Sequence, residues 1–147
     1  MLLFFFFLVL PFLAGLVGAR FGPDAWFDAL ATPTWNPPPW VFAPVWTLLY
    51  LAMGVAAWLV WRRGGGAVPL ILWGVQLLLN ALWTPLFFAL HRPDLAFADI
   101  VLLWLVLAAA TVAFWRVTVA AGALLLPYLA WVTFAMALNA AIWRLNA

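Results

Sequence analysis

Residues 24–46 read DAWFDALATPTWNPPPWVFAPVW, and this stretch decides how the chain is laid out. It is the one long interruption in an otherwise apolar sequence. It holds two of the four Asp, four of the twelve Trp and five of the eleven Pro. Pro37, Pro38 and Pro39 exclude a helix interior, because each ring fixes φ and removes an N–H donor. The residue before each Pro is pushed extended as well. Thr32 to Pro39 is therefore expected to be stiff and irregular. Such backbone is not tolerated facing lipid, so it must lie at the membrane surface or against protein. A flexible linker would be rich in Gly and Ser; this one is rich in Pro and Trp. It reads as an ordered lid that leads into a helix near Trp40–Trp46. Within it, Asp24–Leu30 reads as a short helix, with Asp24 in a first turn favoured by the helix dipole.

On either side of this stretch the chain is apolar. Of 147 residues, 71% are hydrophobic and 7% charged, against about 25% charged in a soluble domain. The mean hydropathy is +1.20. These values describe a single-domain, all-α, multi-pass membrane protein. There is no Cys, Ser, Glu or Lys; all six cations are Arg and all four anions are Asp. The absence of Cys excludes disulfides and thiolate metal sites. A single His excludes bis-His haem ligation, and no metal site is expected. Without Ser or Cys, only Thr remains as an ordinary nucleophile. So few charges make no nucleic-acid footprint.

Five spans follow from length and hydropathy: residues 3–19, 41–61, 67–90, 95–115 and 119–143. At about 1.5 Å per residue, the third is long enough to cross about 30 Å of hydrocarbon. The first lacks a basic leading segment and exceeds a signal-peptide core, so it is expected to be retained. Asp94 is expected near the N-cap of span four. Five spans place the termini on opposite sides. The short loops carry Arg62, Arg63 and Arg116 on one side and Arg20, Arg92 and Arg144 on the other. Three against three leaves orientation undecided.

Polar amides inside a span avoid lipid, so Gln76, Asn80 and Asn139 are expected to point inward. Helical spacing brings aromatic side chains with them. Trp46, Tyr50 and Met53 share a face of span two; Gln76, Asn80, Trp83 and Phe87 share one of span three; Trp131, Ala135, Asn139 and Trp143 share one of span five. Gln76 and Asn139 read as interhelical hydrogen-bond partners. The inward aromatics read either as core or as the wall of an apolar cavity. Trp58, Trp61, Trp73, Trp104, Trp115 and Trp143 read as interfacial anchors. Pro85 and Pro127 either kink their helices and open space or are simply tolerated. Asp99 is an intramembrane acid or an interfacial one, with Arg20 or Arg144 as partner. His91 reads as an ordinary interfacial residue.

The stretches WFDAL (26–30), TPTWNPPPWVF (32–42), VWTLLY (45–50), LNALWTPLFF (79–88) and LLPYLAW (125–131) resemble the TspO/MBR family of tryptophan-rich sensory proteins, whose mitochondrial member is the translocator protein. The likeness runs from about Gly22 to Arg144. It implies a five-helix bundle with a pocket beneath the Pro/Trp-rich lid between helices one and two. It also implies a ligand: protoporphyrin IX or a related tetrapyrrole, or an isoquinoline-type drug, with no obligatory cofactor. Matched by motif, the pocket is lined by Trp26, Phe27, Trp46, Tyr50, Asn80, Trp83, Phe87, Trp131 and Ala135. Trp26 and Trp131 match a pair linked in some bacterial members to light-dependent porphyrin breakdown, so they are the catalytic candidates if that chemistry exists. Phe27 stands where many members have Tyr. The sterol-recognition stretch of mitochondrial members is broken at Ala140.

The leading expectation is a membrane sensor that binds tetrapyrroles; a photo-oxidative enzyme and a porphyrin transporter are the alternatives. The missing inverted repeat and the scarce intramembrane charge count against an active transporter, though not against a passive path. Expected partners are the lipid membrane, in a bacterial envelope, and a second copy in a homodimer. For that dimer Gly15 and Gly18 are the only close-packing points.

Overall fold

A computed structural model describes residues 1–147. Five long helices cross the expected hydrocarbon: α1 (Leu2–Ala19), α3 (Phe42–Arg62), α4 (Ala67–Thr84), α5 (Pro93–Val117) and α6 (Val119–Leu145). The short α2 (Ala25–Asp28) lies in the α1–α3 connection. The expected span limits agree with these helices to within one or two residues, once α4 is continued by a π turn at Pro85–Ala89 and α3 is preceded by a 3-10 turn at Pro39–Val41. The protein is an integral, multi-pass membrane protein.

Each boundary has a local cause. Asp24 is the N-cap of α2 rather than a first-turn residue: its Oδ1 accepts from the Phe27 amide at 3.1 Å. Pro93, not Asp94, opens α5, with Arg92 as N-cap. Pro suits that first position because its missing N–H had no helical partner there. Asp94 sits in the first turn and takes a two-pronged hydrogen bond from Arg92 at 2.8 and 2.6 Å. From Thr32 to Pro38 the backbone is irregular, as the prolines require, apart from a turn closed by Asn36 N–H donating to Pro33 O.

The helices close a ring. Helix α1 packs on α3 and α4, α3 on α6, α6 on α5 and α5 on α4. At the end away from the α1–α3 connection the ring is filled: Val60, Phe114 and Ala121 are fully buried there. Leu48, Ile71, Leu78, Leu102, Leu105 and Leu126 point outward. In a bilayer they meet lipid tails, so bundle cohesion rests on close packing and interhelical hydrogen bonds.

Glycine sets two of the closest approaches. A Cβ at Gly54 would lie 2.7 Å from Phe7 O and 2.9 Å from Leu8 Cα, both backbone atoms of α1. Gly15 faces the Tyr50 ring, and Gly18 faces Thr84. This corrects the expectation that Gly15 and Gly18 serve a dimer: both are occupied within one protomer. Gly54→Ala should lower stability by up to about 2 kcal/mol, because the atoms its Cβ would meet are backbone and cannot move aside cheaply. Overpacking costs about 1–3 kcal/mol, and the helix recovers about 1 kcal/mol in propensity. Gly74→Ala is the control, since its Cβ would meet nothing within 4 Å. Thermal unfolding in detergent reads both; an unchanged midpoint for Gly54→Ala would contradict this packing.

Two further expectations change. Trp73 is no interfacial anchor: it is buried, and its indole N–H donates to Met53 O at 3.2 Å across α3–α4. Trp104 donates to Thr133 Oγ1 at 2.8 Å, tying α5 to α6. Of the two readings of Pro127, tolerance holds: it is exposed on the outer side of a continuous α6.

Candidate functional site

The half of the ring near the α1–α3 connection is not filled. It encloses a cavity of about 520 Å³, inside the usual range for small-molecule sites of about 300–1,000 Å³. All five long helices contribute to its wall: Gly15 and Gly18 from α1, Trp46 and Tyr50 from α3, Asn80 and Trp83 from α4, Ile100 and Leu103 from α5, and Trp131, Ala135 and Asn139 from α6. Phe87 comes from the π turn. Phe27, Asn36 and Pro37 come from the α1–α3 connection. No Arg, Asp or His lines it.

Aromatic faces dominate the wall. Trp46 stacks on Tyr50 with centroids 5.4 Å apart, and Trp83 on Phe87 at 5.0 Å. Trp131 meets Trp46 edge to face at 6.5 Å. The π turn explains the place of Phe87. Pro85 has no N–H to give, and Leu90 N–H reaches back five residues to Pro85 O at 3.0 Å. The wider turn carries Phe87 into the bundle, where it is 1% exposed. Single π turns of this kind recur at functional sites.

Polar side chains fix these rings. The Trp83 indole N–H donates to Asn139 Oδ1, and Asn139 Nδ2 donates to Pro93 O, both at 2.9 Å. Tyr50 Oη donates to Asn80 Oδ1 at 3.2 Å, and Asn80 Nδ2 donates to Tyr128 Oη at 2.9 Å. Tyr128 Oη donates in turn to Gln76 Oε1 at 2.8 Å. Gln76 and Asn139 thus do the interhelical bonding that their positions imply. An amide offers two N–H donors, so Asn80 keeps one for an occupant. The indole N–H groups of Trp46 and Trp131 are not fully buried and make no hydrogen bond within the protein.

Eight of the nine residues matched by motif line the cavity; Trp26 does not. This is a correction. The Trp26 ring stacks on His91, centroids 4.3 Å apart and planes 14° from parallel, and touches Phe87 edge to face at 5.9 Å. It stands one ring behind the wall. His91 is therefore more than an ordinary interfacial residue, and it also binds Asp24, Nε2 to Oδ2 at 3.0 Å. Asp24 is held below the usual carboxylate range, first by the Phe27 amide and then by His91. Asp99 is buried, but its Oδ2 has no hydrogen-bond partner, and neither Arg20 nor Arg144 pairs with it.

Sequence reasoning missed Tyr128, the hub of the buried network. A signal exists: it is one of only two Tyr and lies three residues before Trp131. Ile100 and Leu103 carry no signal beyond apolarity. Also missed was Asn146, whose side chain accepts from Ala31 N–H and donates to Ala31 O, both at 2.9 Å. That two-bond clasp pins the α1–α3 connection to the end of α6.

A family model described as the TspO/MBR family matches residues 7–144. Among individual proteins, the chain is 44% identical to the tryptophan-rich sensory protein of Cereibacter sphaeroides, over 88% of this chain and 82% of that one. It is 43% identical to the human translocator protein, over 95% and 88%. It is 44% identical to Protein CrtK of Rhodobacter capsulatus, over 90% and 86%.

Proposed function

The chain belongs to the TspO/MBR family, and from that premise we propose that it is a membrane sensor that binds tetrapyrroles in the cavity between its helices. The observation that carries this reading is the wall itself: stacked indole and phenyl faces around about 520 Å³, with no charged side chain. A flat aromatic macrocycle gains from offset or edge-to-face contact with such rings at about 4.5–7 Å. The carboxylates of a porphyrin cannot be left unpaired in that wall. They belong at the mouth, where Arg20 lies between the lining residues Ala19 and Phe21. The α1–α3 connection then acts as a lid.

The test is an absorbance titration with protoporphyrin IX in lipid nanodiscs, first dark and then illuminated. A saturable shift supports binding; partitioning equal to that of empty nanodiscs removes it. Trp131→Phe keeps a ring but loses indole area. It should weaken binding by about 0.5–1.5 kcal/mol, roughly tenfold at most. The illuminated arm reads turnover. Of the two Trp matched by motif to porphyrin breakdown, Trp131 is the one on the wall, and Phe is much harder to oxidise. Breakdown that falls far more than occupancy in Trp131→Phe would favour the enzyme reading. Breakdown in step with occupancy would leave Trp131 a wall of the pocket.

A further inference from the structure

We propose that Asp24, Trp26 and His91 form a pH-sensitive latch that holds the α1–α3 connection shut over the cavity. The inference rests on the reading of that connection as a lid over a ligand site. His91 belongs to the α4–α5 turn; Asp24 and Trp26 belong to the lid. The lid also rests on Phe87 and Phe88 through Trp26 and Phe27, but the His91 imidazole is the one titratable side chain that joins it to the α4–α5 turn. Its Nε2 lies 3.0 Å from Asp24 Oδ2 while its ring lies flat on Trp26 at 4.3 Å. His91 is also the only non-glycine residue with positive φ, at 53°. The backbone holds a sparsely populated conformation at the residue that makes both contacts.

Protonation adds to both contacts. An imidazolium forms an ion pair with the Asp24 carboxylate and a cation–π contact with Trp26. A neutral imidazole keeps only a hydrogen bond and a stack. Histidine is the side chain that ordinarily changes charge between about pH 5 and 8. The Asp24 carboxyl, held low by the Phe27 amide and by His91, keeps its charge throughout that window. It loses the charge only as pH falls through its lowered value. The latch thus weakens as pH rises and the imidazole loses its proton.

Competing charges at this end are few. Arg92 is taken by Asp94, and Arg20, Asp28 and Arg144 make no ion pair. The Asn146–Ala31 clasp contains no titratable group. It gives the lid a second fastening that pH does not touch.

The chain has no Cys, so two spin labels can be placed cleanly. Thr34→Cys sits on the lid and Thr118→Cys on the opposite side of the bundle, between α5 and α6. The distance distribution between the labels is recorded in nanodiscs at pH 5.5 and pH 8.5, without ligand. The displaced-lid fraction should rise about threefold to tenfold at the higher pH, the size expected of one exposed ion pair and one cation–π contact. His91→Asn removes the titration, and Asn tolerates the left-handed backbone. Asp24→Asn removes the charge but keeps the helix cap. His91→Asn should show the larger displaced fraction at both pH values, and Asp24→Asn should keep only the smaller pH response of the Trp26 contact. Asn146→Ala should raise that fraction while leaving the pH ratio intact. A wild-type distribution that does not change with pH, or a pH response that survives His91→Asn, overturns the latch. Because the labels report the lid without ligand, failure of porphyrin binding leaves this result standing. The ligand arm is the release rate of protoporphyrin IX at the two pH values.

Discussion

Ala135→Trp should weaken protoporphyrin IX binding by at least about a hundredfold, or about 2.7 kcal/mol, while the bundle stays folded. Ala135 lies one turn from Trp131 and one turn from Asn139 on the inner face of α6, and it lines the cavity. An indole built there enters the space between the Trp46, Trp83 and Trp131 rings that a macrocycle needs. The cavity is large for a side chain and small for a side chain plus a porphyrin. The added ring therefore fills a void rather than compressing a packed core. The matched control is Ala137→Trp, two residues on and exposed on the outer surface; it should leave affinity within about twofold. Binding is read by absorbance titration, folding by circular dichroism and thermal midpoint. An Ala135→Trp protein that is folded and binds within about threefold of wild type would place the ligand elsewhere.

The second large effect is on stability. Asn80→Leu should cost about 2–3 kcal/mol, read by detergent-titration unfolding in mixed micelles. Leu is the apolar side chain nearest to Asn in shape, so most of the change is in bonding. It removes the bonds from Tyr50 and to Tyr128 and strands the Tyr50 hydroxyl in a buried site. Side-chain hydrogen bonds between membrane helices average about 0.6 kcal/mol and reach about 1.7 kcal/mol. A stranded buried hydroxyl adds about 1–3 kcal/mol. The diagnostic is a cycle with Tyr50→Phe. By itself that variant should cost about 1 kcal/mol, because Asn80 keeps Tyr128. In the Asn80→Leu background it should restore stability, because the stranded group is then gone. Simple addition of the two losses would show that the network is not a unit.

Much of the cavity wall is legible in the residues themselves, for a local reason. Asn80 and Asn139 cannot face lipid, and helical spacing ties Trp83, Phe87, Trp131 and Ala135 to their faces. Trp26 is not legible in this way. Its neighbours in sequence say that it is on the lid, but His91, 65 residues away, decides which way the ring turns. Trp73 shows the same limit. It stands three residues before Gln76, so helical spacing already sets it on the inward face, but its partner, a backbone carbonyl of another helix, has no signature in the sequence.

The five spans, their ends and the irregular connection between the first two follow from the residues alone. Hydrocarbon thickness, proline chemistry and the cost of polar groups in lipid act on each segment separately. The inward faces of α3, α4 and α6 follow in the same way, because one amide, or the Trp46–Tyr50 pair in α3, orients a whole helix. The order of the helices around the ring, and the use of Gly15, Gly18 and Gly54 within the protomer, come only with the assembled bundle. So do the filled end and the hollow one, and the single histidine that meets the lid. These depend on contacts between residues far apart in the chain, where the partner's shape and not the local pattern sets the outcome.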